Sequence, residues 1–158
     1  MLTLRDATRA DLPLVLHFIR ALAEYEKLAH EVRADEDTLG RFLFGEPARA
    51  HALIAEWEGE PAGLAVWFYS FSTFLGRPSL YIEDVFVEPT QRGRGIGKAI
   101  FAHLAARAVQ QGCGRMEWAV LDWNAPSIAF YRSLGAKPRE GWTTQQLTGE
   151  ALHALAAV

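Results

Sequence analysis

The stretch EDVFVEPTQRGRGIGKAI, residues 83–100, constrains this chain more than any other. An apolar run stops at Pro89, glycines and arginines crowd together, and apolar residues at helical spacing begin at Ile96. A strand therefore feeds a helix through a loop of bare backbone. A helix N-terminus presents unpaired N–H groups and the positive end of the helix dipole, and both favour an anion. Gly93, Gly95 and Gly97 remove Cβ atoms that would hold a phosphate away from that backbone, so a pyrophosphate cradle is a natural use. A turn that merely closes the strand–helix corner is the plain alternative. Spacing excludes two other cradles. A P-loop needs a glycine where Arg92 stands and a Ser or Thr where Ala99 follows Lys98. In a dinucleotide fingerprint, Gly93-x-Gly95 should lead to glycine and leads to Lys98, while Gly95-x-Gly97 leads to Ile100.

The remaining pattern supplies a mixed α and β frame. Residues 2–6 alternate like a strand, and Thr8 with Asp11 forms a capping-box pattern opening a helix to about Lys27, with Leu12, Val15, Leu16, Ile19 and Leu22 on its buried face. A short helix is expected from Asp35 to Phe44. HALIAEWEGEPAGLAVWFYSF reads as two strands joined through Glu58, Gly59 and Glu60. SLYIEDVFV is a third long strand. Ile96, Ile100, Leu104 and Ala108 recur at helical spacing. RMEWAVLDW reads as a strand, PSIAFYRSLGA as a short helix and GWTTQQLT as a last strand, leaving a helical turn of undefined place in residues 149–158. Antiparallel strands thus come first, followed by β-α-β-α-β.

Composition narrows the function. With 158 residues, half of them apolar, one domain over 1–158 can bury its own core. A net charge of −3 without any Lys/Arg block argues against nucleic acid and suits small cations better. Cys113, the single cysteine, allows neither an intrachain disulfide nor a cysteine zinc cluster. The five histidines share no metal-ligand spacing, so no metal is expected, and the five tryptophans read as core or dimer contacts. No run approaches the length of a bilayer span and the start lacks a leader pattern, so a soluble, cytoplasmic protein without a membrane partner is expected.

Arg92-Gly93-Arg94-Gly95-Ile96-Gly97 after a strand ending in Phe86-Val87 resembles the [QR]-x-x-G-x-[GA] motif of the GCN5-related N-acetyltransferase superfamily. YEKLAHEV, FSTFLGRPSLYIEDVFVEPTQRGRGIGK, LDWNAPSIAFYRSLGA and EGW resemble, in the same order, the branch of spermidine/spermine and thialysine N-acetyltransferases. The resemblance implies an α/β acyl-CoA N-acyltransferase fold: a central, mostly antiparallel sheet, splayed at the cofactor cleft and flanked by helices. It implies acetyl-CoA as co-substrate, its pyrophosphate held by the amides of Arg92, Gly93, Arg94, Gly95, Ile96, Gly97 and Lys98. The pantetheine arm would lie along Val85, Phe86 and Val87, with the Val87 N–H donating to the thioester oxygen. Asn124 and Ser127 match cofactor contacts, and the family is usually homodimeric.

Tyr131 occupies the position of the family's general-acid tyrosine. A phenol with a pKa near 10 can protonate a departing thiolate at neutral pH, although a tyrosine beside Phe130 in an amphipathic helix can equally be a packing residue. An amine with a pKa near 10 arrives protonated, so a base or water relay is needed. Glu83 interrupts an apolar strand and matches the family residue facing the acceptor. Strict alternation would put Glu83 and Asp84 on opposite faces, with Asp84 as second choice of base. Tyr25, Glu26 and Glu140 match further acceptor positions and complete an acidic pocket for a cation. The polyamine enzymes carry an acid where this chain reads Phe71-Ser72-Thr73-Phe74. A short lysine-like amine is therefore favoured over spermine. Acetylation of a protein, and acyl-CoA sensing without turnover, remain alternatives.

Overall fold

A computed structural model describes residues 1–158, which form two compact units, Met1–Trp123 and Asn124–Val158. The first is built on a five-stranded sheet in the order β1-β2-β3-β4-β5: Leu2–Asp6, His51–Trp57, Glu60–Ser72, Arg77–Val87 and Arg115–Trp118. The first four strands pair antiparallel, whereas β4 and β5 pair parallel, as their connection through a helix requires. The β2–β3 hairpin turns on Glu58 and Gly59, both at positive φ, which matches the twist of the flanking strands.

Helices cover both sheet faces. Helix α1, Leu12–Tyr25, follows a single turn at Arg9–Asp11 in which Thr8 and Asp11 form the expected capping box. Helix α2, Glu36–Phe44, starts at Asp35, whose carboxylate accepts from the Thr38 N–H at 2.8 Å. Val15, Phe18 and Leu43 from these helices pack with Ala52, Ile54, Leu64, Val66 and Phe86. The alternate positions Leu53, Ala55, Ala65 and Trp67 are fully buried on the other face. Helix α3, Ile96–Gln110, lies on that side, with Arg107 over the Trp67 ring and Ile100 and Leu104 buried.

The β3–β4 ladder contains one register shift. Val66 pairs with Asp84 and Trp67 with Ile82, so Glu83 is the extra residue of a bulge. Strict alternation is interrupted there, and the two acids differ in environment: Glu83 is exposed and Asp84 is half-buried. Beside the bulge the sheet opens: β5 pairs with β4 only over Ser79–Ile82, although β4 continues to Val87. This is the expected splay, and it shortens the strand expected over residues 115–123 to Arg115–Trp118.

The second unit contains helices α4, Ala125–Ser133, and α5, Gly149–Ala156. The strand expected over residues 141–148 is not formed: residues 142–148 are irregular. GWTTQQLT alternates, but this unit offers it no second strand, and a strand without a partner leaves its backbone groups unpaired by a ladder. The unplaced turn of residues 149–158 is α5.

Candidate active site

The glycine loop leads from β4 through a turn at Pro89–Gln91 to Gly95, which stands at the N-cap of α3. Gly93 and Gly95 have φ of 78° and 77°, and an added Cβ on either would meet nothing within 4 Å. Glycine is thus required there for conformation, since a side chain is strained at such angles even in open space. Gly97 lies within α3, where the earlier argument about clearance for an anion still applies. The first turn of α3 carries no acid, and its N-cap has no side chain with which to occupy the exposed donors. This chemistry fits a pyrophosphate.

Arg92 does more than lend a backbone amide. Its Nε donates to the Val87 carbonyl at 3.1 Å, and its guanidinium lies 5.2 Å from the Tyr25 ring centre and 5.9 Å from that of Phe86. It therefore ties the glycine loop to the end of β4 and to the end of α1. Nothing in the sequence pattern singled out this side chain.

On the α1 face, Asp84 is in register with Val66 and two residues before Phe86, both members of the cluster beneath α1. Its carboxyl is pushed up to about 6, first by burial and then by the charges of Glu83 and Glu26. Burial also raises the Glu26 carboxyl, at the C-terminal cap of α1. Glu26, Glu83 and Asp84 are therefore near enough to act on one carboxyl, in the unit where β4 leaves β5. Tyr25 stands next to Glu26, and its ring centre is 6.1 Å from that of Trp123. Trp123 is 48% exposed, so of the two readings given to the tryptophans, core or dimer contact, the core is excluded for this one. The Lys27 ammonium lies 4.9 Å from the centre of the Trp123 ring.

The remaining predicted residues belong to the second unit. Asn124 caps α4, its Oδ1 accepting from the Ser127 N–H at 3.3 Å. Ser127 and Tyr131 are one helical turn apart, so the cap, the serine and the tyrosine share a side of α4. The rings of Phe130 and Tyr131 lie 5.7 Å apart. Glu140 lies in an exposed turn before Gly141, between Arg139 and the Trp142 ring over which Arg139 stacks at 5.7 Å. No helix is long and apolar enough to cross a membrane, and no group of three or more His, Cys, Asp or Glu side chains is arranged to hold a metal ion.

Comparison with known proteins agrees with this chemistry. A model described as the acetyltransferase (GNAT) family matches residues 15–136. The chain is 40% identical to a thialysine N-epsilon-acetyltransferase of Bos taurus, over 97% of its own length and 96% of the relative's. It is 30% identical to spermidine/spermine N(1)-acetyltransferase-like protein 1 of Homo sapiens, over 94% of this chain and 23% of that one. Among solved structures, an integron cassette protein from the mobile metagenome of V. cholerae matches with a TM-score of 0.81 at 26% identity, covering 99% of this chain and 98% of that one.

Proposed function

Because the chain belongs to the acetyltransferase (GNAT) family, we propose that it moves an acetyl group from acetyl-CoA directly to the primary amine of a small cationic acceptor, a lysine-like amine or short diamine. The observation that carries the choice of acceptor is the grouping of Glu26, Glu83 and Asp84 in the unit where β4 parts from β5. Three carboxylates attract a cationic amine and repel an acidic peptide.

Acetyl-CoA supplies the acetyl group as an activated thioester. The amides of residues 92–98 are assigned to its pyrophosphate and the edge of residues 85–87 to its amide-bearing arm, with the Val87 N–H as donor to the thioester oxygen. Asn124 and Ser127 complete the cofactor contacts. Tyr25, Glu26, Asp84 and Glu140 hold the acceptor. Glu83 takes the ammonium proton, directly or through water, which exposes the lone pair that attacks. As the C–N bond forms and the C–S bond breaks, Tyr131 gives a proton to the leaving sulfur, and the second proton lost by the attached nitrogen returns through solvent to the Tyr131 oxygen, which restores the phenol. The reading treats residues 1–158 as one catalytic domain acting as a cytoplasmic homodimer. A light-scattering mass of one chain would remove the dimer from it.

A polyamine acceptor is the second reading, favoured by the similarity to the human spermidine/spermine-type relative. One experiment addresses both. Turnover of acetyl-CoA is measured against lysine, thialysine, short diamines, spermidine, spermine and a peptide, for wild type and Tyr131→Phe. The expected result is a higher kcat/KM for the lysine-like amine than for spermine. Tyr131→Phe should lower kcat by roughly 10²- to 10⁴-fold while acetyl-CoA affinity stays near wild type. Preference for the peptide would sink the small-amine reading, and normal turnover by Tyr131→Phe would take the acid role from that residue.

A further inference from the structure

Tyr25 and Trp123 are large aromatic side chains that remain 38% and 48% exposed, although a folded chain gains by burying such surface. Their ring centres are 6.1 Å apart, and each carries a cation of the chain: the Arg92 guanidinium 5.2 Å from Tyr25 and the Lys27 ammonium 4.9 Å from Trp123. Glu26 lies between Tyr25 and Lys27 in sequence, and its charge reaches Asp84 on β4. Lys27 takes up its position at φ 62°, a conformation side chains rarely adopt, immediately after α1 ends.

We propose that the Tyr25–Trp123 pair is a cation subsite for the acceptor's second positive group, a site that Lys27 of the same chain fills in this structure. The inference rests on the small-amine reading and specifies it: the acceptor is a dication, with one amine presented to Glu83 for acetylation and the other on the aromatic face. Three features support it. The electron-rich face of an indole attracts ammonium ions, most strongly when the contact is shielded from water. An acceptor's ammonium is the same chemical group as the lysine's, so a surface that seats one seats the other. Lys27 is exposed and ends a flexible stem, so it can leave without disturbing the core. Exchange of one ammonium for another leaves the charge on the wall unchanged. The internal lysine then acts as a weak competitor that a dication displaces and a monocation of equal length does not.

The test compares cadaverine and pentylamine, which share a chain length and differ in the second amine. Each is assayed with saturating acetyl-CoA in wild type, Trp123→Leu, Trp123→Phe and Lys27→Met. In Trp123→Leu the KM for cadaverine should rise by about 3- to 30-fold with kcat held, while that for pentylamine moves by less than about 2-fold. Trp123→Phe should recover part of the loss because it keeps an aromatic face. Lys27→Met should lower the KM for cadaverine more than that for pentylamine. Equal shifts for the two amines in both Trp123→Leu and Lys27→Met would overturn the subsite and leave the acetyltransferase reading standing. If Trp123→Leu does not fold, the exposed substitution Lys27→Met decides by the same ratio. Absence of turnover with either amine in the wild type would overturn the small-amine reading itself, and the subsite with it.

Discussion

Asp84 holds its proton about two pH units longer than an ordinary aspartate, its pKa lying at about 6 against 3.8. The folded value lies above the unfolded one, so its favourable contribution to stability is complete below about pH 4 and is lost as the pH rises through about 6. Asp84→Asn should therefore be more stable than the wild type by an amount that grows from pH 4 to pH 7, reaching on the order of 2 kcal/mol. Urea unfolding at the two pH values measures this, and a constant difference would mean that Asp84 is not strained by its neighbours. The same substitution should raise the KM for a cationic acceptor near neutral pH if, as proposed above, the Asp84 charge helps to hold that acceptor. The two adjacent acids were legible in EDVFV. That Asp84 is half-buried while Glu83 stays exposed was not, because the bulge between them is set by the register against β3, thirteen residues long, and not by residues nearby in sequence. Trp123 was expected at the end of the strand over residues 115–123 for a similar reason: only the early end of β5 at Trp118 puts it outside the sheet.

The loop from β4 to α3 combines two kinds of glycine, which substitution separates. Gly95→Ala places a Cβ on a residue at φ 77° and should destabilise the protein by about 1–2 kcal/mol, although there is room for the added methyl. Gly97→Ala sits inside a helix, where alanine is favoured over glycine by up to about 1 kcal/mol, so the melting temperature should hold or rise. Its acetyl-CoA affinity should nevertheless fall if the missing Cβ gives the pyrophosphate its approach. Calorimetric titration and thermal melts on the two variants decide this. Unchanged acetyl-CoA binding by Gly97→Ala would mean that the loop needs glycine only for its turns. The strand–loop–helix order was plain in the sequence because apolar spacing changes from two to between three and four across the glycines. Which glycine bends the chain and which clears space depends on φ angles, and residue type does not carry that information.

At the scale of the molecule, local order was easier to read than long-range pairing. The five strands, the helices of the first unit and α4 all correspond to patterns in the chain. The strand assigned to residues 141–148 failed because alternation marks a segment able to pair but does not supply a partner. The open end of β4 draws its importance from the same fact. From Glu83 to Val87 this strand runs on without β5 beside it, and an unattended strand edge is adhesive toward any extended segment, including one from another copy. If the co-substrate lies along that edge, as proposed above, its binding blocks such encounters and favours the folded state by mass action. The onset temperature of aggregation should therefore climb with acetyl-CoA concentration, as light scattering during a thermal ramp measures, and should climb less with a CoA fragment that lacks the pantetheine arm. Equal protection by the fragment would assign the effect to the phosphate loop alone. The metabolite that sets how fast this enzyme works would then also set how long each molecule of it survives, and a cell short of acetyl groups would lose the protein as well as its activity.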